Sequence, residues 1–366
     1  MSLCDTKRLA ALGLIALLAA ACDEATGPGE LSDPAAVTAE FAEIAAAVET
    51  PVFDGFGALG ENFPSVGAAG ALVRATRPAE RSVANARELQ RLVPVFSRMS
   101  PQDTVLPDSA VGTWEWDTVD GRYEKTGAAP APNTARFMLY LIDPDTDLPV
   151  VPLTEVGHAD LVDNQPAGLS YSIGLTVQDL AGATYLDYDV TVTPSVSAFT
   201  ASADGYISNG LTGGSERRLT FSTTFTASGS EVSGSASADA SITLNVLNLR
   251  VEVHDDVTFS GNAAIFSRDF LFHRTGETIR VLGSVTVVEV SPGVESITVE
   301  VEVRVNGRLF ATVEGTDDGI TATGPGGRQL TPDEANALGA LIEASDGAWD
   351  VIEDLLDPVE EIAGTS

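Results

Sequence analysis

Two pairs of carboxylates stand two residues apart on stretches of alternating polarity, Glu115 with Asp117 and Asp187 with Asp189. On an extended chain such residues share one face at roughly 6.5–7 Å. That is near the separation at which an inverting glycosidase holds its acid and its base. Trp114 and Trp116 flank the first pair and could stack on a sugar ring, yet their shared parity suits a core equally well. Glu300 and Glu302 repeat the spacing on what reads as a plain wet strand face, so the spacing alone does not single out an active site.

Other patterns stop short of a complete constellation. Asp143, Asp145 and Asp147 have the one-three-five oxygen spacing of a calcium loop. Leu148 stands where an EF-hand loop needs Gly and Thr154 where it needs Glu, so a tight Asp-Pro-Asp-Thr turn is the simpler reading. Gly55, Gly57 and Gly60 fit GxGxxG, but no strand–turn–helix unit surrounds them and Pro64 interrupts any helix that follows. His158, His254 and His273 form neither HxH nor HExxH, and no Ser lies in GxSxG. No catalytic residue, cofactor or metal set is expected from these patterns, and the ligand-binding residues are left open.

The thiols are more informative. Lys7 and Arg8 precede an apolar run, Leu9 to Ala21, which ends in small residues before Cys22. A basic start, a short apolar stretch and a small-residue exit compose a secretory signal peptide. The run is shorter than the about 20 residues a spanning helix needs. Leu18-Ala-Ala-Ala-Cys22 resembles the lipobox of bacterial lipoproteins, with Ala19 where that family more often has Leu and Asp5 an unusual acid in the basic region. The resemblance covers residues 1–22 only. It implies cleavage before Cys22, a diacylglyceryl group on its thiol and attachment to a membrane by acyl chains. Asp23 resembles the inner-membrane retention residue of enteric bacteria, a rule that does not transfer to all bacteria, so inner and outer membranes both stay open. Cys4 would leave with the signal, and the mature chain would hold no other thiol and no disulfide.

Charge agrees with an acyl anchor rather than an electrostatic one. The formal net charge is −33, and loss of Asp5, Lys7 and Arg8 with the signal leaves −34. Such a surface disfavours nucleic acid and repels anionic lipid heads. Arg328 is the last basic residue, and the acids after it read as the solvated face of C-terminal helices.

The elements that must position any site follow from period. Residues 23–31 have turn composition. Ser32-Asp33-Pro34 opens a helix over about 34–49, with Val37, Phe41, Ile44 and Val48 on one stripe, and a second helix is expected near Glu80 to Leu92. From Val111 to about Val313 the period is two, the signature of half-buried antiparallel strands. Asp120-Gly121 marks a hairpin. The strand Ile242 to Val253 slips parity between Val246 and Leu247, which predicts a bulge. Between Val303 and Leu309 the buried face predicts a three-residue loop, Val305 to Gly307, that pairs Val303 with Leu309 and Val301 with Ala311 and puts Gly307 at positive φ. Thr331-Pro-Asp-Glu334 is a capping box opening a helix with Leu338, Leu341 and Ile342 inward, and Trp349, Ile352, Leu355 and Leu356 form a further stripe.

The expected fold is mainly β, an antiparallel meander of about a dozen strands, either a curved sheet (half-barrel) or a sandwich, with helices at both ends. Its parts are a signal peptide (1–21), a lipidated tether (22–31), a helical segment (32–100), a β domain (105–325) and acidic C-terminal helices (330–362). The layout resembles lipoprotein-carrier half-barrels, with no shared motif. Few aromatics and acidic helical ends argue against a transmembrane barrel. The expected function is that of a non-catalytic envelope lipoprotein, exported and anchored at a periplasmic or cell-surface face. It would bind an apolar ligand or an envelope protein through its sheet. A structural or adhesive module and a carbohydrate hydrolase are the alternatives.

Overall fold

The structure is a computed structural model that describes residues 50–52, 54–56, 105–164, 170–230, 233–245, 249–291 and 294–342. The signal segment, Cys22, the expected helices over 34–49 and 80–92, Gly57 and Gly60, and the Trp349 stripe lie outside the described residues.

Among the described residues seventeen strands follow one another: β1 Gly112–Asp117, β2 Arg122–Gly127, β3 Thr134–Tyr140, β4 Ile142–Asp143, β5 Leu148–Pro149, β6 Glu155–Asp163, β7 Tyr171–Asp179 and β8 Thr184–Pro194. After these come β9 Ala198–Ser208, β10 Arg218–Ser230, β11 Ser233–Leu244, β12 Leu249–Ser260, β13 Ala263–Arg274, β14 Glu277–Ser291, β15 Val294–Val305, β16 Arg308–Thr316 and β17 Gly319–Thr323. Fifteen of them form one sheet, an unbroken antiparallel meander from β6 to β17. At its other end β3 pairs with β6, and β1 runs parallel to β3 and carries β2 as the outermost strand. The sheet is open at β17 and β2, and β4 and β5 form a separate small hairpin. Among the described residues no helix is long and apolar enough to cross a membrane.

The meander forms because each strand offers alternate apolar residues to one face. Val190 and Val192 on β8, Phe199 and Ala201 on β9, and Phe270 and Phe272 on β13 are all buried, while the residues between them are Thr191, Thr200 and Leu271. Large and small side chains alternate across strands: Phe225 on β10 sits between Ala201 on β9 and Ala238 on β11. Tyr188 lies directly opposite Gly205 and meets the Phe221 ring edge-on, with centroids 6.0 Å apart. A Cβ at position 205 would fall on Tyr188 Cβ, so this ring packs there only because the position is glycine.

Helical residues close the core at two places. Val52 and Phe56 are buried, and Gly55 lets that turn rest against the end of β3, where a side chain would press on the Tyr140 carbonyl at 2.9 Å. The glycine that opened the GxGxxG pattern therefore has a packing role. Helical residues 332–342 start as the capping box requires. The Glu334 amide donates to Thr331 Oγ1 at 3.3 Å, and the Thr331 amide donates to Glu334 Oε2 at 2.9 Å. Arg328 grips the same carboxylate at 2.5 and 2.8 Å, holding it ionised below the usual carboxylate range against the cost of burial. Leu338 and Leu341 are buried and Ile342 packs on the core.

Two local expectations are corrected. Val305 pairs with Arg308, so the loop has two residues, Asn306 (φ 49°) and Gly307 (φ 78°), rather than three. The buried face is recovered further along, where β16 carries one extra residue between Leu309 and Ala311, so that Val303 faces Ala311 and Val301 faces Val313. The expected single strand Ile242 to Val253 is two: β11 ends at Leu244, which pairs with Leu249 at the start of β12, and Val246 and Leu247 lie outside the described residues. The Asp120-Gly121 hairpin is present, with Trp116 opposite Tyr123 and Gly121 at φ 64°.

Candidate functional site

Across the inner face of β10 to β15 runs one cross-strand row, Phe225, Ala238, Asp255, Arg268, Gly283 and Val301, each residue paired with the next. Its members have the parity of the core, yet the middle two are charged. Arg268 donates from Nε to Asp255 Oδ1 at 2.8 Å and from Nη2 to Oδ2 at 2.6 Å, the two-point geometry of a strong guanidinium–carboxylate pair. Their side chains are 14% and 16% exposed. The pair is flanked by the smallest residues available, Ala238 on one side and Gly283 on the other, and space opens above it. The resulting pocket is small, roughly 60 Å³, open at its mouth and mostly apolar, and Ile342 reaches it from helical residues 332–342. A concave apolar lining with a few polar groups is the usual form of a small-molecule site.

No sequence motif announced this pair. Its signal was a charge at core parity: Asp255 interrupts the buried series Val251, Val253, Val257 and Phe259, and Arg268 interrupts Phe266, Phe270 and Phe272. A second inward pair, Arg274 with Glu277, closes the hairpin between β13 and β14 at 2.7 Å, with side chains 7% and 3% exposed.

The residues singled out by spacing lie elsewhere. Trp114 and Trp116 are buried, Trp114 donating to the Ala110 carbonyl and Trp116 packed edge-on to Tyr123, so neither offers a stacking face. Glu115 points outward, and Asp117 accepts from the amides of Val119 and Asp120 to organise its own turn. Asp189 accepts from Asn164 at 2.9 Å, and Asp187 accepts a long bond from Thr176. Asp143 accepts from the Asp145 amide, while Asp147 sits at φ 54° and donates its amide to the Asp143 carbonyl, so this segment is the β4–β5 turn. Among the described residues one carboxylate trio converges, Asp117, Asp120 and Glu124, and Arg122 pairs with two of its members.

The three histidines stay apart. His158 lies beside the Arg136–Asp160 pair, and burial, then Arg136, push its pKa down. His273 meets Thr278 at 3.3 Å. His254, on the outer face, is held between Asp239 at 2.6 Å and Asp256 at 3.0 Å, with Asp269 opposite it on β13 and Glu252 two residues away on its own strand. The Asp239 hydrogen bond is the largest cause raising its pKa, opposed by burial and aided by Asp256. A raised folded pKa means that the contribution is complete below the ordinary imidazole range and fades as pH rises through the folded value. His254→Gln is therefore expected to lower the unfolding midpoint at pH 5.5 and to leave it unchanged at the alkaline end, as urea titrations at the two pH values would show. A gap that widened with rising pH would contradict it.

Comparison of the chain with known protein families, with curated proteins and with solved structures finds no match.

Proposed function

We propose that the chain is an exported lipoprotein, lipidated at Cys22, whose body is non-catalytic and holds an apolar ligand on the inner face of its sheet. The observation that carries the binding part is the apolar pocket between β10 and β15, where the core row narrows to Ala238 and Gly283 and the lining stays largely hydrocarbon. The anchoring part rests on the Leu18–Cys22 segment and on a body too acidic to hold anionic lipid by charge. The carboxylate pairs give hydrolysis no comparable support, because the flanking tryptophans are spent on the core.

Organic extraction of the purified protein followed by mass spectrometry tests the reading. A recurring apolar molecule is expected in stoichiometric amount, and Val301→Trp, which places a large ring at the half-buried end of the row, should remove it. A clean extract together with no uptake of added lipid would remove the ligand reading.

A further inference from the structure

The two ends of the open sheet are protected differently. β2 carries Arg122, Glu124 and Lys125, charges of the kind that keep an edge from pairing with a foreign strand. β17, Gly-Ile-Thr-Ala-Thr, has no charge and no proline, and on its open side it pairs with nothing among the described residues. Ile320, on the core parity opposite Gly315, is 39% exposed. The backbone is already set for pairing. Thr316 and Gly319 close a two-residue turn as a hydrogen-bonded pair, so Gly319, Thr321 and Thr323 spend their amides and carbonyls on β16. Ile320 and Ala322 turn theirs to the open side.

The sequence of β17 complements itself. Laid antiparallel about Thr321, two copies set Ile320 opposite Ala322 twice on the inner face, a large side chain against a small one each time. Thr321 meets its own counterpart on the outer face, a favourable cross-strand pair. The outward groups of Ile320 and Ala322 then fall on each other, and each such pair exchanges both of its hydrogen bonds. No acid meets an acid: Asp318 comes opposite Gly324, and Asp317 opposite Pro325, which ends the ladder. The contact uses the same patch on both copies, so it closes as a pair rather than growing into a fibre.

We infer that β17 pairs with β17 of a second copy of this chain, joining two open sheets into one about a twofold axis at Thr321. This is independent of the apolar-ligand reading.

The test uses the full chain in non-ionic detergent with Cys4→Ser and Cys22→Ser, so that an added cysteine is its single thiol. In a non-hydrogen-bonded pair the Cα atoms stand about 4.5 Å apart, inside disulfide range, so Thr321→Cys should give a covalent dimer under diamide. Thr323→Cys, on the same outer face, lies four residues out of register with its counterpart, roughly 13 Å away, and should give about a tenth as much or less. Ala322→Pro, added to Thr321→Cys, removes an outward amide from each copy and should lower the yield about tenfold, the scale of two hydrogen bonds. Salt should raise the yield, because it screens two bodies of net charge −33 from each other. Equal yields at positions 321 and 323, a yield that Ala322→Pro leaves unchanged, or one that falls with salt would overturn the inference. So would a Thr321→Cys chain that forms no dimer, whether it stays single or is trapped in cells on another protein, which would then be the occupant of the edge. Should Ala322→Pro not fold, the comparison of positions 321 and 323 decides alone.

Discussion

Arg274→Met is expected to destabilise the protein by about 3–5 kcal/mol, the usual result of removing one partner from a buried ion pair. Arg274 and Glu277 face each other across the two-residue turn between β13 and β14, with Gly276 at φ 80° closing the reversal. Both side chains point into the core, and neither is more than 7% exposed. The substitution preserves length and apolar bulk and removes the charge, leaving the Glu277 carboxylate buried without that cation. The same change at Arg122, an exposed residue whose partners Glu124 and Asp120 are also solvent-accessible, should leave the unfolding midpoint nearly unchanged. The double variant Arg274→Met/Glu277→Leu separates the two contributions. It removes the buried carboxylate along with its cation, and its stability is expected to return close to wild type. Urea denaturation of wild type, Arg274→Met, Glu277→Leu and the double variant forms the cycle. An Arg274→Met variant within about 1 kcal/mol of wild type would show that loss of this cation is not what destabilises the buried carboxylate. Against a total stability of about 5–15 kcal/mol, the expected loss is large enough to read without ambiguity.

What could be read from the sequence divides by the range of the interaction. Alternation exposed β7, β9, β10, β14 and β15 because their inner residues are large: Ile173, Leu175, Phe199, Phe221, Val281 and Val303. It is weakest in the first half of β11, where the buried residues Ala236, Ala238 and Ala240 alternate with Ser and Asp and give little hydropathy contrast. At the end of that strand the sequence suggests a bulge, because a break between two paired strands and a one-residue slip give the same change of parity. The capping box was legible because Thr331 and Glu334 satisfy each other across a single helical turn. In the β15–β16 hairpin the buried-face argument identified the correct requirement but placed the extra residue in the loop; the strand absorbs it at Phe310, and Asn306-Gly307 keeps its preferred two-residue turn. The candidate site was the least legible. Asp255 and Arg268 belong to adjacent strands, and each by itself is one charge in a strand that already carries others. Only the register, which sets them opposite each other on the inner face, turns two irregularities into one feature.

Cys22→Ser is expected to move the protein from the membrane fraction to the soluble one, with the body still folded. Attachment through a diacylglyceryl thioether supplies two acyl chains at about 0.8 kcal/mol per buried methylene, enough for stable anchoring where a single chain holds only marginally. Charge favours no substitute for it: cleavage would leave −34 on the chain, and among the described residues Arg136, Arg268, Arg274, Arg280 and Arg328 are each joined to a carboxylate rather than turned to an anionic bilayer. The run from Leu9 to Ala21 is too short to hold the variant as a spanning helix. Two controls make the result specific. A high-salt wash should leave the wild-type protein on the membrane, since screening does not weaken an acyl anchor. The mass of the wild-type N-terminal peptide should place the first residue at Cys22, with the diacylglyceryl group on it. Membrane retention of the Ser variant, or a wild-type N-terminus elsewhere with an unmodified thiol, would overturn the anchor. Should the anchor hold while the lipid extract is empty, the acyl chains localise a body whose inner face is simply core. Should both hold, the −34 body stands off the membrane on its tether and presents its small apolar pocket, an arrangement in which the anchor sets the place and the sheet holds the ligand.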